Sequence, residues 1–456
     1  MNRFRIVALI VVTAIHTVAR SQPEDVIRSI YSEALTSHEA YENLRFLCKN
    51  TKGRISGTPQ AAAAVEFTRQ VLEQIGVDTV FLQPVTVPYW KRGDVEYARM
   101  SSAIFGSRGL NVCGLGRSIG TGEDGVYGQV VEVRDFDMLD SLGEKEISGN
   151  IVFFNRPMDA TRINTFSAYG GAVNQRTEGA SRAARYGAIA TVVRSVTTAR
   201  DGIPHTGVLR YDESIRKIPA ISISTNDADL LSMWLKNDPG LRFHFISNCE
   251  NMPDQPSFNV VGEIRGQTHP EEIITIGGHL DAWDTGEGAH DDGAGCIQAI
   301  EVLRLFKELG IQPKRTIRAV MFMDEEIGQT GGKAYAHFAK VHNEKHYAAL
   351  EADRGALTPR GFGFGASGER LEQLLALKRY FEPYRLDYFV RGGGGADIGP
   401  LREFGTLLMG YIPDDQRYFD YHHSAKDTFE TVNERELQMG SASMAALIYL
   451  IDLLDL

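Results

Sequence analysis

Apolar residues recur along this chain at two different spacings, and the spacing changes near residue 76. Between residues 24 and 76 they recur every three to four positions, which predicts two helices separated by a loop that contains residues 53–59. Residues 77–87 are rich in β-branched side chains instead. Pro84 within this run predicts a strand at a sheet edge, because proline has no N–H to donate to a neighbouring strand.

Short β-branched runs alternate with helical stretches in the second half of the chain. Runs at 273–276, 316–323 and 346–350 predict strands, and apolar positions at helical spacing predict one helix that ends at Gly310 and another over 369–380. This alternation predicts an α/β fold with a mixed, largely parallel sheet flanked by helices. Ligand sites in such sheets gather at the carboxyl ends of the strands.

The middle of the chain is predicted to form a separate unit. Strands are expected at 150–154, 188–193 and 218–223, and the prolines in the stretch 253–257 indicate a boundary where the main domain resumes. We therefore divide the chain into residues 1–21, 22–120, 121–252 and 253–456.

Composition excludes several classes of function. The 456 residues carry 48 Lys and Arg against 59 Asp and Glu, a formal net charge of −11, so the chain has no overall basic field for nucleic acid. Four cysteines, at positions 48, 113, 249 and 296, form no CxxC pair and are too few for a disulfide scaffold. We expect buried free thiols, and if the chain is exported three disulfide pairings remain open.

The first 21 residues are typical of a secretory signal. Arg3 and Arg5 precede an apolar run over 6–15, and Ala-Arg-Ser at 19–21 is a small-x-small cleavage pattern. The run is far shorter than the roughly 20 residues that span a bilayer, and we expect no comparable run later. The mature protein is predicted to be secreted or periplasmic, without membrane attachment.

Acidic and imidazole side chains collect where the predicted strands end. They lie in four segments, 277–293, 324–328, 351–353 and 421–428. Any one segment could be a solvated loop, but four together indicate a metal site. Carboxylates and imidazoles without cysteine suit zinc or similar divalent ions, and two ions that share a carboxylate can clamp a hydrolytic reaction.

The spacing of these residues indicates roles for some of them. His279 and Asp281 are two apart on an extended segment, so we expect His279 to bind metal while the Asp281 carboxylate accepts the other imidazole N–H. Glu325 and Glu326 follow a strand directly. One of them can bind metal while the other takes a proton from water, and chemistry alone leaves the choice open.

The ordered motifs resemble those of the co-catalytic dizinc peptidases of family M28. The likeness rests on His279-Leu280-Asp281, Asp291-Asp292-Gly293, Glu325-Glu326-x-Gly328, Asp353, and His423 ahead of Asp427-Thr428. Arg176-Thr177-x-Gly179-Ala180 in the middle unit resembles a protease-associated domain. The resemblance implies a zinc exopeptidase fold with that domain inserted, two Zn²⁺ per chain, and a homodimer that cleaves dipeptides or short peptides as a carboxypeptidase or dipeptidase.

Residue roles also follow from this resemblance. It implies that Asp291 bridges the two ions and that Glu325 is the general base, while Asp281 keeps the role of orienting His279 that its spacing indicates. The implied metal ligands are His279, Asp291, Glu326, Asp353 and His423.

Some assignments stay open. His290 and His422 are expected beside the ligands rather than among them, and Asp324 is expected to face away from Glu325. Gly392–Gly395 with Asp397 lacks the Lys-Ser/Thr of a phosphate loop, and the family resemblance implies instead that this segment forms a wall near the substrate pocket. The alternative functions are an M28 aminopeptidase, a glutaminyl-cyclase-like enzyme with one metal, and a non-catalytic binding ectodomain.

Overall fold

The computed structural model describes residues 22–456, so the predicted signal peptide lies outside the described residues. The helices in this part of the chain are α1 Pro23–Thr36, α2 Glu39–Asn50, α3 Pro59–Ile75, α4 Phe136–Ile147, α5 Thr165–Gly170, α6 Asn174–Thr177, α7 Gly179–Ala184, α8 Thr225–Asn237, α9 Ala294–Glu308, α10 Thr330–His342, α11 Gly368–Ala376, α12 Lys378–Phe381, α13 Tyr418–Tyr421 and α14 Glu434–Leu454. The strands are β1 Thr79–Lys91, β2 Glu96–Ser102, β3 Gly106–Leu110, β4 Val112–Gly114, β5 Val126–Val133, β6 Ile151–Phe154, β7 Ala190–Arg194, β8 Ala220–Ile223, β9 Arg242–Ser247, β10 Glu250–Ile264, β11 His269–His279, β12 Arg315–Phe322, β13 Lys345–Glu351, β14 Pro359–Phe364, β15 Tyr388–Arg391 and β16 Leu407–Pro413.

The first sheet has the strand order β1-β10-β12-β11-β13-β16-β14-β15. Its four central strands, β12, β11, β13 and β16, are mutually parallel, whereas β1 with β10, β10 with β12, and β14 with β16 are antiparallel pairs, and the edge strand β15 is parallel to β14. The sheet is therefore mixed, with a parallel centre, as predicted.

Helices cover both faces of this sheet, and β12 shows how. Its residues Ile317, Ala319 and Met321 belong to the core formed with α3, α9 and α14, while Val320 and Phe322 pack with α10 on the other face. A strand buried on both sides reads as a continuous apolar run because alternate residues point to opposite faces.

The region before β1 contains three helices rather than the predicted two. The chain is extended at Ser37, where α1 ends, and the Ser37 hydroxyl accepts the N–H of Glu39 as α2 begins. The predicted loop before α3 is confirmed: Thr58 caps that helix by accepting the N–H of Ala61 at 3.1 Å. The edge position of β1 is also confirmed, and Pro84 lies on it.

The second sheet takes its strands from residues 96–247, in the order β3-β2-β9-β5-β6-β7-β8-β4. The predicted start at 121 is therefore too late, because β2, β3 and β4 pair within this sheet. The predicted boundary at 253–257 lies within β10, which begins at Glu250, so the first sheet resumes a few residues before that boundary. Pro253 and Pro256 fit there because that half of β10 pairs with β1 alone, which leaves its other edge free.

The four cysteines are buried, free thiols, as predicted. Cys296 lies in α9 within the main core. One expectation about apolar runs was wrong: α14 is long and apolar enough by length and composition to cross a bilayer. In the fold this helix packs against α1 and α9, and 78% of its most apolar window is buried.

Candidate metal centre

Three parallel strands end at the candidate site. β11 ends at His279, which is opposite Phe322, the last residue of β12. Glu326 follows β12, and Asp353 follows Glu351 at the end of β13. Because these strands run in the same direction, their carboxyl ends meet at one edge of the sheet, and the predicted ligands on them converge.

The other two predicted ligands lie on loops. Asp291 lies in an irregular turn, 289–293, that leads into α9, and His423 follows α13. The turn approaches the sheet closely: a Cβ on Gly295 would lie 2.0 Å from the carbonyl oxygen of Ala352. Glycine is therefore required where α9 begins.

The structure brings the five predicted ligands together around Asp291. Its Oδ1 lies 3.2 Å from Nε2 of His279, and its Oδ2 lies 3.4 Å from Nε2 of His423. Nε2 of His279 is also 3.6 Å from Asp353 Oδ1, and Nε2 of His423 is 3.1 Å from Glu326 Oε2. The two carboxylate oxygens of Asp291 thus face two different histidines.

The cluster has the properties of a cation site. Asp291 Oδ2 and Glu326 Oε1 are buried without a hydrogen-bond partner. Burial, with Asp291 close by, raises the pKa of Glu326 well above its ordinary value. Burial lowers the pKa of His279, but bonds to Asp291 and Asp353 outweigh it and raise the pKa, so the cluster attracts positive charge. Buried carboxylates and imidazoles of this kind fit zinc or a similar divalent ion.

Asp281 acts differently from the prediction. The acceptor for Nδ1 of His279 is the backbone carbonyl of Asp281, at 2.9 Å, whereas the Asp281 carboxylate is 3.9 Å away. That carboxylate instead accepts the backbone N–H groups of Asp324, Glu325 and Glu326 at 2.6, 3.0 and 3.3 Å. The Asp281 carboxylate therefore holds the turn at 324–326 through three charge-assisted hydrogen bonds. The Asp281 carbonyl, by accepting the N–H at Nδ1, fixes the tautomer of His279.

Glu325 lies at the edge of the cluster. Among the described residues, the side chain that donates to its carboxylate is Gln329, at 3.2 Å. Burial raises the pKa of Glu325 to about 7, with His279 opposing the shift and Asp353 adding to it. A carboxylate with this pKa can accept a proton near neutral pH.

Asp324 faces away from Glu325, as expected. Its carboxylate accepts the hydroxyl groups of Ser56 and Thr330, each at 2.7 Å. Burial, together with Asp281, raises the pKa of Asp324 to about 7. Asp324 therefore anchors the turn after β12 to the loop before α3 and to the start of α10.

The two neighbouring histidines differ in position. His290 stacks on Tyr421, its Nδ1 accepts the N–H of Ala356, and burial lowers its pKa to about 4. His422 stacks on His423 at 3.5 Å, and its Nε2 is 3.9 Å from Asp291 Oδ2. His422 thus borders the cluster more closely than His290 does, but His423 is the nearer of the adjacent pair.

Two further aspartates hold the loops that carry His279 and Asp291, and no role was predicted for either from the sequence. Asp427 accepts the N–H groups of His290 and Asp291 at 2.7 and 3.1 Å. Asp292 accepts the N–H groups of His279 and Gly295 at 3.0 and 3.1 Å. Both aspartates are buried, and both bind backbone close to the ligands. The signals in the sequence were that Asp292 adjoins Asp291 and that Asp427 belongs to the motif after His423.

Trp283 and Arg54 were also missed as parts of the site. The indole N–H of Trp283 donates to Glu326 Oε2 at 2.5 Å. The Arg54 guanidinium, fully buried, donates to the carbonyls of Leu280, Glu287 and Gly288. The spacing of residues in the sequence indicates neither contact. Arg54, for example, lies more than two hundred positions before the carbonyls that it binds.

The glycine-rich segment 392–395 leads to a buried acidic pair. Glu351 Oε2 accepts the N–H groups of Asp397 and Ile398 at 3.1 and 2.8 Å. Gly395 is needed here because a Cβ would lie 1.7 Å from Glu351 Oε1. The expected role of this segment as a wall of the substrate pocket stays a prediction.

Comparisons with known proteins agree with this geometry. The profile of peptidase family M28 matches residues 259–448. Carboxypeptidase Q of Bos taurus is 32% identical over 426 residues, 93% of this chain and 87% of that protein. A crystal structure of a peptidase M28 precursor from Shewanella amazonensis is similar at a TM-score of 0.90 and 32% identity, over 94% of this chain and 96% of that one.

A zinc aminopeptidase from Bacillus subtilis shares the fold, with a TM-score of 0.65 at 18% identity over 90% of this chain and 94% of that one. The bovine protein is about one third identical over most of its length, and the profile of family M28 matches the second half of the chain; together these two findings establish the family. The chain belongs to peptidase family M28 and is a metallopeptidase.

Proposed function

We propose that this metallopeptidase is an exopeptidase that hydrolyses dipeptides or short peptides with free termini, as a carboxypeptidase or dipeptidase with two zinc ions. The position of Asp291 between two imidazoles carries the proposal, with Oδ1 3.2 Å from His279 and Oδ2 3.4 Å from His423. A carboxylate placed this way can be shared by two divalent ions.

The proposed ligands divide into two sets that share Asp291. His279 and Asp353, whose Nε2 and Oδ1 are 3.6 Å apart, would complete one set, and Glu326 and His423, whose Oε2 and Nε2 are 3.1 Å apart, would complete the other. Bound zinc would supply an activated water and polarise the scissile carbonyl. The same donors also accept cobalt or manganese, so availability decides the native metal.

Glu325 is the proposed general base. Its carboxylate would take a proton from the attacking water and pass it to the nitrogen of the leaving amine, whose C–N bond breaks. The pKa of about 7 matches this role, because a base works best when its pKa is near the working pH. Asp281 keeps Glu325 in place by binding its backbone N–H.

Arg176 supports a substrate with a free carboxylate. This guanidinium is 5% exposed, and it donates to two neutral acceptors, the Thr206 carbonyl and the Tyr169 hydroxyl, with Nδ1 of His423 3.4 Å away. Among residues 22–456 no carboxylate forms an ion pair with it, and its Nε has no partner. A buried cation without a counter-ion is costly, and a substrate carboxylate beside His423 would compensate its charge.

The aminopeptidase alternative is separated from this proposal by blocked substrates. We expect hydrolysis of a free dipeptide, and poor hydrolysis of its C-terminal amide. Arg176→Gln should raise KM for the free dipeptide more than for the amide. Equal activity on the dipeptide and its amide, in both the wild type and the variant, would favour the aminopeptidase.

The central test combines metal content with Glu325→Gln. We expect two zinc ions in the wild type and in the variant, with hydrolysis of the dipeptide lowered about 10²–10⁴-fold in the variant. Glu271→Gln, exposed on the same strand as His279, is the matched control and should retain activity. A single zinc ion would favour the cyclase-like alternative, and absence of binding under any loading condition would favour the binding ectodomain.

Export, assembly and the middle unit belong to the same proposal. We propose that residues 1–21 direct secretion, that two copies form a homodimer, and that residues 96–247 are a protease-associated unit. Cell fractionation with and without residues 1–21 tests the first point. Sedimentation equilibrium of the mature chain tests the second.

A further inference from the structure

A segment of the second unit lies directly against the proposed metal ligand His423. The N–H of Thr206 donates to the His423 carbonyl at 2.9 Å, and Nδ1 of His205 donates to the His422 carbonyl at 2.7 Å. His205 and Ser424 also form an antiparallel bridge. The segments 205–206 and 422–424 therefore pair as two very short strands across the boundary between the units.

The side chain of His423 is bound from the same segment. Its Nδ1 lies 3.3 Å from the Thr206 carbonyl, while its Nε2 faces Asp291 and Glu326. When Nε2 binds a cation the ring proton is on Nδ1, and the Thr206 carbonyl, which only accepts, is its partner; the Arg176 guanidinium lies 3.4 Å from Nδ1. Arg176 donates to the same carbonyl at 3.3 Å.

The backbone of His423 needs this support. Its φ of 60° lies in the left-handed region, which residues with a side chain seldom adopt. The N–H of Thr206 holds the carbonyl of this residue, and the His205 ring holds the carbonyl before it. Both bonds fix the direction in which the His423 side chain leaves the loop.

The second unit holds the segment rigidly. Ser195, just after β7, accepts the N–H of His205 at 2.8 Å, and Ser222 in β8 donates to its carbonyl at 2.6 Å. The Thr206 hydroxyl donates to the carbonyl of Gly114, at the end of β4, at 2.8 Å. Three strands of the second sheet thus carry the segment that meets His423.

We propose that the second unit completes the metal centre, with His205 and Thr206 as positioning residues that fix the tautomer and direction of His423. The inference rests on the proposed two-metal function. It gives the second unit a role in binding the metal ion that His423 would hold, in addition to any role in binding substrate. The ion held by His279 and Asp353 should depend on the unit less.

The test uses His205 variants of the full mature chain. His205→Leu removes the bond to the His422 carbonyl, whereas His205→Asn places an amide N–H where Nδ1 was. Zinc affinities are measured by competition with a chromophoric chelator, and the apo protein reloaded with Co²⁺ is examined by visible absorption. We expect one ion of His205→Leu to bind about 10-fold or more weakly, with an altered Co²⁺ spectrum, and His205→Asn to restore both.

His244→Leu is the matched control, because His244 lies 3.1 Å from the carbonyl of Asp124 in the same unit, away from the centre. If His205→Leu does not fold, His205→Asn and His205→Gln decide instead. The Gln amide reaches the Nε2 position rather than Nδ1, so only Asn should preserve affinity. Equal zinc affinity in all variants overturns the inference.

The proposed function fails separately. If the wild type binds a single ion, the two-metal proposal is wrong. The inference then stands if that ion is weakened in His205→Leu and restored in His205→Asn, and it falls if the ion is unaffected.

Discussion

Replacing Arg54 with methionine should destabilise the protein strongly, although Arg54 is far from any ligand in sequence. The guanidinium donates to the carbonyls of Leu280, Glu287 and Gly288 at 2.6, 2.5 and 2.7 Å. These carbonyls belong to the loop between β11 and the turn that holds Asp291. Methionine keeps the length of the side chain and an apolar stem but supplies no donor.

The magnitude follows from what is left unpaired. The carbonyls of Leu280 and Gly288 are buried and that of Glu287 is partly buried; left without a donor they cost about 1–3 kcal/mol each, or about 3–9 kcal/mol in all. Removing the guanidinium also removes the free-energy penalty of burying a cation, which places the expected loss in the lower half of that range. We therefore expect Arg54→Met to lower the free energy of unfolding by about 3–5 kcal/mol.

The assay is urea unfolding of the chelator-treated protein, followed by tryptophan fluorescence. Chelation separates the packing effect from the contribution of bound metal, which stabilises the folded state by mass action. Arg28→Met on α1 is the control, because that side chain is 72% exposed and should change stability by less than about 0.5 kcal/mol. If Arg54→Met changes stability no more than the control does, the reasoning from the three carbonyls is wrong.

Three further predictions each concern the replacement of one residue. Asp281→Asn puts an amide where the turn after β12 needs an acceptor, so kcat should fall at least about 10-fold; unchanged kinetics would refute this role. Trp283→Phe keeps the ring against Trp90 but removes the N–H to Glu326, so zinc should bind about 10-fold more weakly in chelator competition, with equal affinity as the contrary result. Burial raises the pKa of Glu344, but bonds from His346 and Arg318 lower it to about 2. Glu344→Gln should therefore lose about 1–2 kcal/mol at pH 7, and the loss should shrink as pH falls from about 4.5 towards 2; urea midpoints at pH 7 and pH 3 check this, and a loss that grows with acid would contradict it.

The convergence of the site could be predicted because it depends on local pattern and on one topological rule. β-branched runs marked β11, β12 and β13, and parallel strands end at one edge of a sheet. That was enough to predict that the segments with His279, with Glu325 and Glu326, and with Asp353 converge. The family resemblance chose Glu326 over Glu325 as a ligand, and it also supplied the ligands Asp353 and His423 and the bridging place of Asp291.

Contacts between distant parts of the chain could not be predicted in this way. The spacing of His279 and Asp281 placed them on the same side but did not distinguish the carbonyl of Asp281 from its carboxylate as the acceptor. The strands β2–β4 were assigned to the wrong unit because an apolar pattern states that a strand forms, not which strand it pairs with. No periodicity connects Arg54 to Leu280, or Thr206 to His423.

The contacts that escaped prediction share a physical role. Arg54, Asp281, Asp427 and Thr206 bind mainly backbone N–H or carbonyl groups of the loops that carry the ligands. This arrangement follows from the chemistry of the site. A carboxylate or an imidazole that is to bind a cation must keep a lone pair for it. The Trp283 indole, which donates to Oε2 of Glu326, leaves Oε1 unpaired, and the loops are held mainly through their backbone. Such support is drawn from whichever part of the chain lies beside the loop, and for His423 that part is the second unit.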